Sequence, residues 1–164
     1  SEPLKKHFVK QGIVEAKIRV VPNGVDISRF RPNAENAEIR RRFGEKSVIL
    51  GFVGSFSRFH GIGQLRTMID FLAPLRPKTR FLMVGAGELS GDLEEHCRRR
   101  GLSSRVHFTG HVPPEDVPGL MAAADILLAP YEADDFFYFS PIKIFEYMAV
   151  GRAGDDRMRL PAPR

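Results

Sequence analysis

A repeating alternation constrains this chain more than any single motif. Four short apolar runs, SVILGFVG (47–54), RFLMVG (80–85), RVHFTG (105–110) and DILLAP (125–130), are separated by stretches of helical periodicity. A run such as SVILGFVG, apolar at nearly every position, suits a strand covered on both faces. Between the runs, Ile62, Leu65, Ile69 and Leu72 form a helical stripe that Pro74 and Pro77 are expected to end. ELSGDLEEHCRRRG reads as a second helix closed by Gly101, and PPEDVPGLMAAA as a short third one with Pro114 suited to its first turn. Strand and helix alternating at this spacing specify an α/β fold with a doubly wound parallel sheet.

The ends are less regular. Residues 2–11 read as a short helix, AKIRVVPNG as a strand stopped by Pro22, Asn23 and Gly24, and the segment ending RRRFG as a helix stopped by Gly44. Residues 1–22 are therefore expected to be an interdomain helix and strand belonging with a missing N-terminal domain, and 23–151 a Rossmann-like domain. The tail 152–164, RAGDDRMRLPAPR, offers no apolar run for a fifth strand, so it is expected to be irregular and the sheet to lack its last strands. An unfinished sheet exposes an edge, and self-association through that edge is expected.

With 164 residues, 43% hydrophobic and 27% charged, the chain can bury one sizeable core. No run approaches the roughly 20 apolar residues that span a bilayer, and SEPLKKHFVK lacks a secretory signal's apolar core. The expected location is cytoplasmic, with a peripheral seat on the inner membrane as an option. Cys97 is the one cysteine, which excludes an internal disulfide and argues against a cysteine metal site. His96 and Cys97 read as a surface pair, and Glu132-Ala133-Asp134 as a loop rather than a metal-binding motif, so no metal is expected. A net charge of +5 and a pI near 9.7 favour phosphate-bearing partners. The runs Arg40–Arg42 and Arg98–Arg100 fall late in helices, where cations offset the negative helix end, and read as solvated faces. No exposed aromatics interleave with them, which argues against nucleic acid. His107 and His111 are expected to pack or cap their strand.

Ligands of open parallel sheets bind at the carboxyl ends of the strands. Three loops there stand out: Gly54–Gly63 (GSFSRFHGIG), Gly85–Glu88 (GAGE) and Glu132–Ser140. Gly54, Gly61, Gly85 and Gly87 permit close approach to the backbone, by a ligand or merely in tight turns. Arg58 and His60 can serve phosphate oxygens. In FYFSPIKIFEYMAVG, Ser140 suits an N-cap and Pro141 the first helical position, leaving the N–H groups of Ile142 and Lys143 as an anion site. Glu146 then lies roughly 9 Å along the axis, where its carboxylate can accept from the vicinal hydroxyls of a ribose attached to that anion. The competing reading pairs Glu146 with Lys143, three residues earlier on the same face. The aromatic run Phe136–Phe139 reads as a lid or interdomain contact.

In order, VVPNGVDISRFRP, GFVGSFSRFHGI, FLMVGAGE, VHFTGHVP, DILLAPY and FSPIKIFEYMAVG resemble the carboxyl-terminal half of family 4 retaining glycosyltransferases, over about residues 1–152. That resemblance implies one half of a two-domain GT-B enzyme, binding a UDP- or GDP-sugar without a metal or other cofactor and passing the sugar to an unknown acceptor. Glu146 then corresponds to the second glutamate of a Glu-x7-Glu motif, Gly110-His111-Val112 to the segment meeting the base, and Ser140–Lys143 to the diphosphate cradle. Two positions depart from the pattern. Tyr138 stands where the first glutamate would meet the sugar, with Asp134 and Asp135 nearby as substitutes. Ser55 and His60 replace an arginine and a lysine of the first glycine loop, where Arg58 could restore the cation and an uncharged His60 could still donate. The resemblance also implies that the isolated chain is a poor catalyst. A truncated nucleotide-binding or interaction domain is the first alternative, and an NAD-binding Rossmann domain the second, although GAGELS does not complete G-x-G-x-x-G.

Overall fold

The computed structural model describes residues 1–32, 37–131 and 141–155, with the backbone alone at Phe59 and at 153–155. In chain order the elements are α1 (Glu2–Lys10), α2 (Ala37–Phe43), β1 (Val48–Val53), α3 (Ile62–Leu75), β2 (Thr79–Val84), α4 (Ser90–Arg99), β3 (Val106–Gly110), α5 (Val117–Ala123), β4 (Ile126–Leu128), α6 (Ile142–Ala149) and β5 (Ala153–Asp155). All five strands pair in parallel, in the order β3-β2-β1-β4-β5. The side-chain period of two sorts each strand between two cores. Leu50, Phe52, Phe81 and Met83 face α3 and α4, whereas Ile49, Leu82, Val84 and Leu127 face α2, α5 and α6. The sheet is thus doubly wound, as its alternation predicts.

Several boundaries differ from expectation. The sheet has a fifth strand, Ala153–Asp155, which pairs with β4 in what was expected to be an irregular tail. Residues 16–22 form no strand: Glu15–Lys17 make a 3₁₀ turn, and Val21 stands 75% exposed. A β-branched run has no strand stability without a partner edge. Helix α3 continues through Pro74 to Leu75, since that proline falls in the last turn and Arg105 donates to the carbonyls of Ala73 and Arg76 at the helix end. Helix α5 begins at Val117 with Pro118 in its first turn, leaving Pro114 outside. No helix among the described residues is long and apolar enough to cross a membrane.

Three polar readings also change. His96 and Cys97 are buried rather than on the surface, because Leu93, His96 and Cys97 form the inner stripe of α4. His96 Nε2 lies 3.0 Å from both Asp70 oxygens, joining α4 to α3, and burial pushes the Cys97 thiol up to about 11. Arg40 is no solvated cation: it makes a two-pronged pair with Asp125 at 2.6 and 3.1 Å, and the same carboxylate accepts from Ile49 N–H at 2.7 Å. His107 packs edge-on against Phe43, while His111 is exposed.

Tyr147 fixes α6 over the sheet. The β1–β4 ladder ends at Phe52 and Leu128, and just beyond it the fully buried Tyr147 hydroxyl accepts from Val53 N–H (3.3 Å) and donates to Leu128 C=O (3.2 Å). Removing that oxygen leaves two buried backbone groups unpaired. Tyr147→Phe is expected to cost about 1–3 kcal/mol of unfolding free energy, read by chemical denaturation.

Candidate functional site

The strand order reverses between β1 and β4, and ligands of open α/β sheets bind in the crevice at such a point. Strand β1 runs into Gly54, β4 runs into Pro130 and Tyr131, and α6 opens over the same edge. The two flanking loops touch at Gly61. Its φ is +63°, and a Cβ there would lie 1.5 Å from the Pro130 carbonyl oxygen.

The glycine loops after β1 and β2 pack on each other. A Cβ on Gly85 (φ +117°) would meet Gly54 O at 2.2 Å, and one on Gly87 would meet Phe56 N at 2.7 Å. Backbone bonds from Leu89 N–H to Phe56 O (2.8 Å) and from Gly54 N–H to Val84 O (3.0 Å) hold the arrangement. Gly85 and Gly87 therefore serve close approach to the protein's own chain rather than a bare turn. The missing Cβ of Gly54 makes room for the Lys143 side chain: a Cβ there would fall 2.9 Å from Lys143 Nζ. At the β3 end, Gly110 (φ +65°) has open space above it and accepts from Gly85 N–H at 3.1 Å, His111 is exposed, and Val112 packs on the core.

Helix α6 starts one residue later than its sequence suggests. Pro141 occupies the cap, with φ −70° and an extended ψ of 114°, and the Ile144 N–H reaches its carbonyl at 3.1 Å. Ser140, Tyr138 and the rest of 132–140, including Asp134, Asp135 and the aromatic run, lie outside the described residues. From the Pro141 cap, Glu146 sits about 7.5 Å along the axis.

The charges around this helix end are unusual. Lys143 points its ammonium 4.7 Å from the Phe52 ring centroid and 5.6 Å from that of Tyr131. Burial lowers its pKa from 10.5 to about 8, against the raising influence of Glu146. No carboxylate among the described residues comes within ion-pair distance, so the Lys143–Glu146 pair is not formed. Burial likewise raises the Glu146 carboxyl, opposed by Arg29 and then Lys143. Among the described residues, two groups of opposite charge thus share a poorly solvated crevice without forming an ion pair.

The remaining predicted cations divide. His60 Nδ1 lies 2.7 Å from Ser55 O, with the Ser55 and Ser57 hydroxyls at 3.0 and 3.1 Å. A ring nitrogen facing a carbonyl carries the proton, so an uncharged His60 leaves Nε2 as an acceptor. Burial and then Lys143 lower its pKa, so donation to a phosphate, expected of the neutral ring, requires protonation instead. Arg58 is exposed and pairs with Glu88 at 3.1 Å, tying the two glycine loops together. Sequence reasoning missed Arg29, the strongest cationic influence on Glu146, although it lies within the VVPNGVDISRFRP motif.

This site can be set beside known proteins. Over 123 residues the chain is 34% identical to the 2-deoxystreptamine glucosyltransferase of Streptomyces kanamyceticus, covering 73% of this chain and 32% of that protein. It is 32% identical over 130 residues to the D-inositol 3-phosphate glycosyltransferase of Corynebacterium jeikeium, covering 73% and 31%. Among solved structures, Anabaena Alr3699/HepE in complex with UDP-glucose superposes with a TM-score of 0.70 at 26% identity, covering 92% of this chain and 41% of that one. The chain spans about a third of the length of the curated relatives it matches. The family described as glycosyl transferases group 1 matches residues 47–153, which take in β1 to β4, α6 and the first residue of β5. By that match the chain belongs to the glycosyl transferases group 1 family.

Proposed function

We propose that this chain is the donor-binding half of a retaining glycosyltransferase that takes its sugar from a UDP- or GDP-sugar. The observation that carries the reading is Lys143: a half-buried ammonium with no carboxylate of the described residues against it, at the mouth of α6 and three residues from Glu146. A first-turn lysine opposes the helix dipole, and an anion held between it and the first amides of α6 relieves both. In this reading the diphosphate is that anion, Glu146 accepts from the ribose hydroxyls, and Gly110–Val112 meets the base. Tyr138 or the acids at 134 and 135 meet the sugar. The ammonium and helix amides stabilise the negative charge growing on the leaving diphosphate as the acceptor attacks from the same face. No metal takes part, and a cytoplasmic location belongs to the same reading. The solved complex of HepE with UDP-glucose supports the ligand class. The dinucleotide alternative has less support, since Gly85 and Gly87 are closed by Gly54 and Phe56.

Calorimetric titration with UDP, GDP, ADP and NAD tests this. One nucleoside diphosphate is expected to bind, and Glu146→Ala to weaken it by about 1–3 kcal/mol, the worth of a hydrogen bond to a charged group. Binding of NAD in preference to every diphosphate would overturn the reading.

A further inference from the structure

The Lys143 side chain reaches across the carboxyl edge of the sheet. Helix α6 covers the face that carries Ile49 and Leu127, whereas Phe52 belongs to the opposite core, with Leu50 and Met83. The Lys143 Nζ nevertheless lies 4.7 Å from the Phe52 ring centroid. It arrives over Gly54, where a Cβ would stand 2.9 Å from Nζ and 3.5 Å from Phe52 Cζ. Phe52 is fully buried and set edge-on against Phe56, with ring centroids 5.3 Å apart at 73°, so its ring is locked in place. On the other side Tyr131 brings its ring centroid to 5.6 Å from the same Nζ. Tyr131 packs against the core under α6, and its N–H closes a turn on the Ala129 carbonyl at 2.9 Å. One ring comes from β1 and the other from just past β4, the two strands between which the sheet order reverses.

We infer that Phe52 and Tyr131 are positioning residues for Lys143: their two rings, with the bare Gly54 between β1 and α6, seat its ammonium in the crevice without neutralising it. The inference rests on the reading of Lys143 as the partner of the diphosphate, and extends it to two aromatic residues outside α6. A carboxylate would hold a lysine more firmly, but it would cancel the charge that an incoming anion needs. A ring attracts a cation through its quadrupole and leaves the charge whole. The distinction matters in this crevice, because burial works against the charged form of Lys143. Among the described residues, the titratable groups facing the ammonium are Glu146 on its own helix, His60 from the loop after β1 and the Tyr131 phenol. Glu146 favours the charged lysine, His60 has its own protonation opposed by Lys143, and burial keeps the phenol in its neutral form. Under the proposed function Glu146 is taken up by the ribose. The rings go on favouring the ammonium after the nucleotide has bound.

The test compares wild type, Tyr131→Phe and a protein carrying pentafluorophenylalanine at position 131, each as the full chain. Fluorination keeps the shape of the phenylalanine ring and inverts its quadrupole, so packing and cation attraction are separated. The Lys143 side chain is followed by NMR titration, its signal assigned by its loss in Lys143→Met, and UDP and GDP are titrated calorimetrically at pH 6 and pH 9. Tyr131→Phe is expected to keep the wild-type Lys143 titration near pH 8, and the fluorinated protein to titrate lower. Relative to Tyr131→Phe, its diphosphate affinity should fall about 2- to 5-fold at pH 9, where the charged fraction limits binding, on the scale of one cation–π contact. At pH 6, where lysine is charged in both proteins, the difference should nearly vanish. An unchanged Lys143 titration in the fluorinated protein, or an affinity loss of equal size at both pH values, would overturn the inference. If the titration shifts as stated while wild type binds no nucleoside diphosphate, the proposed function fails and the aromatic seat stands.

Discussion

Lys143→Met is expected to make the free protein more stable and to abolish most nucleotide binding. A lysine whose pKa falls from 10.5 to about 8 on folding destabilises the fold while it is charged. Discounted for partial exposure, the variant should gain about 1–3 kcal/mol at neutral pH. The sign fixes the pH window. The folded pKa lies below the unfolded one, so the wild-type deficit is complete below pH about 8 and closes as pH rises through that value toward 10.5. Denaturation of both proteins at pH 7 and pH 10 should therefore show a gap that shrinks. Binding moves the other way, because losing a desolvated charge opposite an anion costs about 2–4 kcal/mol, or about 30- to 900-fold in Kd. A bound anion restores the lysine's proton affinity, so wild-type affinity should decline above pH about 8 and that of the variant should not. A less stable variant that binds a diphosphate unchanged would remove Lys143 from the site.

Gly61→Ala should be a severely damaging single-methyl change. Its Cβ would sit 1.5 Å from the Pro130 oxygen, and the residue holds φ +63°, so both the left-handed backbone and the contact across the crevice oppose a side chain. A loss of about 4 kcal/mol or more is expected, toward the upper end of single-site effects. Gly91→Ala is the matched control. It lies in the first turn of α4 with nothing within 4 Å of its would-be Cβ, and should gain up to about 1 kcal/mol from helix propensity. Thermal and chemical denaturation of the pair decides between a backbone-specific effect and general intolerance of the loops.

What could be read from the residues followed from how local the cause was. Continuous apolar runs revealed β1, β2, β3 and β4, because a strand covered on both faces has no polar side to disguise it. Strand β5 escaped, since Ala-Gly-Asp carries no apolar signature and is a strand only because β4 offers it an edge. The reverse error at 16–22 has the same origin, a β-branched run with no edge to join. The Pro141 cap lies one residue from its expected place, within the ordinary play of helix ends. The buried His96 and Cys97 were legible in principle: with Leu93 they occupy i, i+3 and i+4, but the surrounding Glu-Glu and Arg-Arg-Arg mask the stripe. Glycines gave half their message, announcing a close approach at 54, 61, 85 and 87 without saying what approaches. Arg29 gave none, because its influence on Glu146 depends on a chain separation of more than a hundred residues that only the fold removes.

The stacking of Gly85 on Gly54 and of Gly87 on Phe56 has a bearing on protein engineering. Segments 54–61 and 85–89 are effectively one moulded piece, so a chimaera that imports either from a relative inherits a mismatched seam. Attempts to transplant these loops should move both together, with Arg58 and Glu88 as a matched clasp, and leave the α6 helix in place.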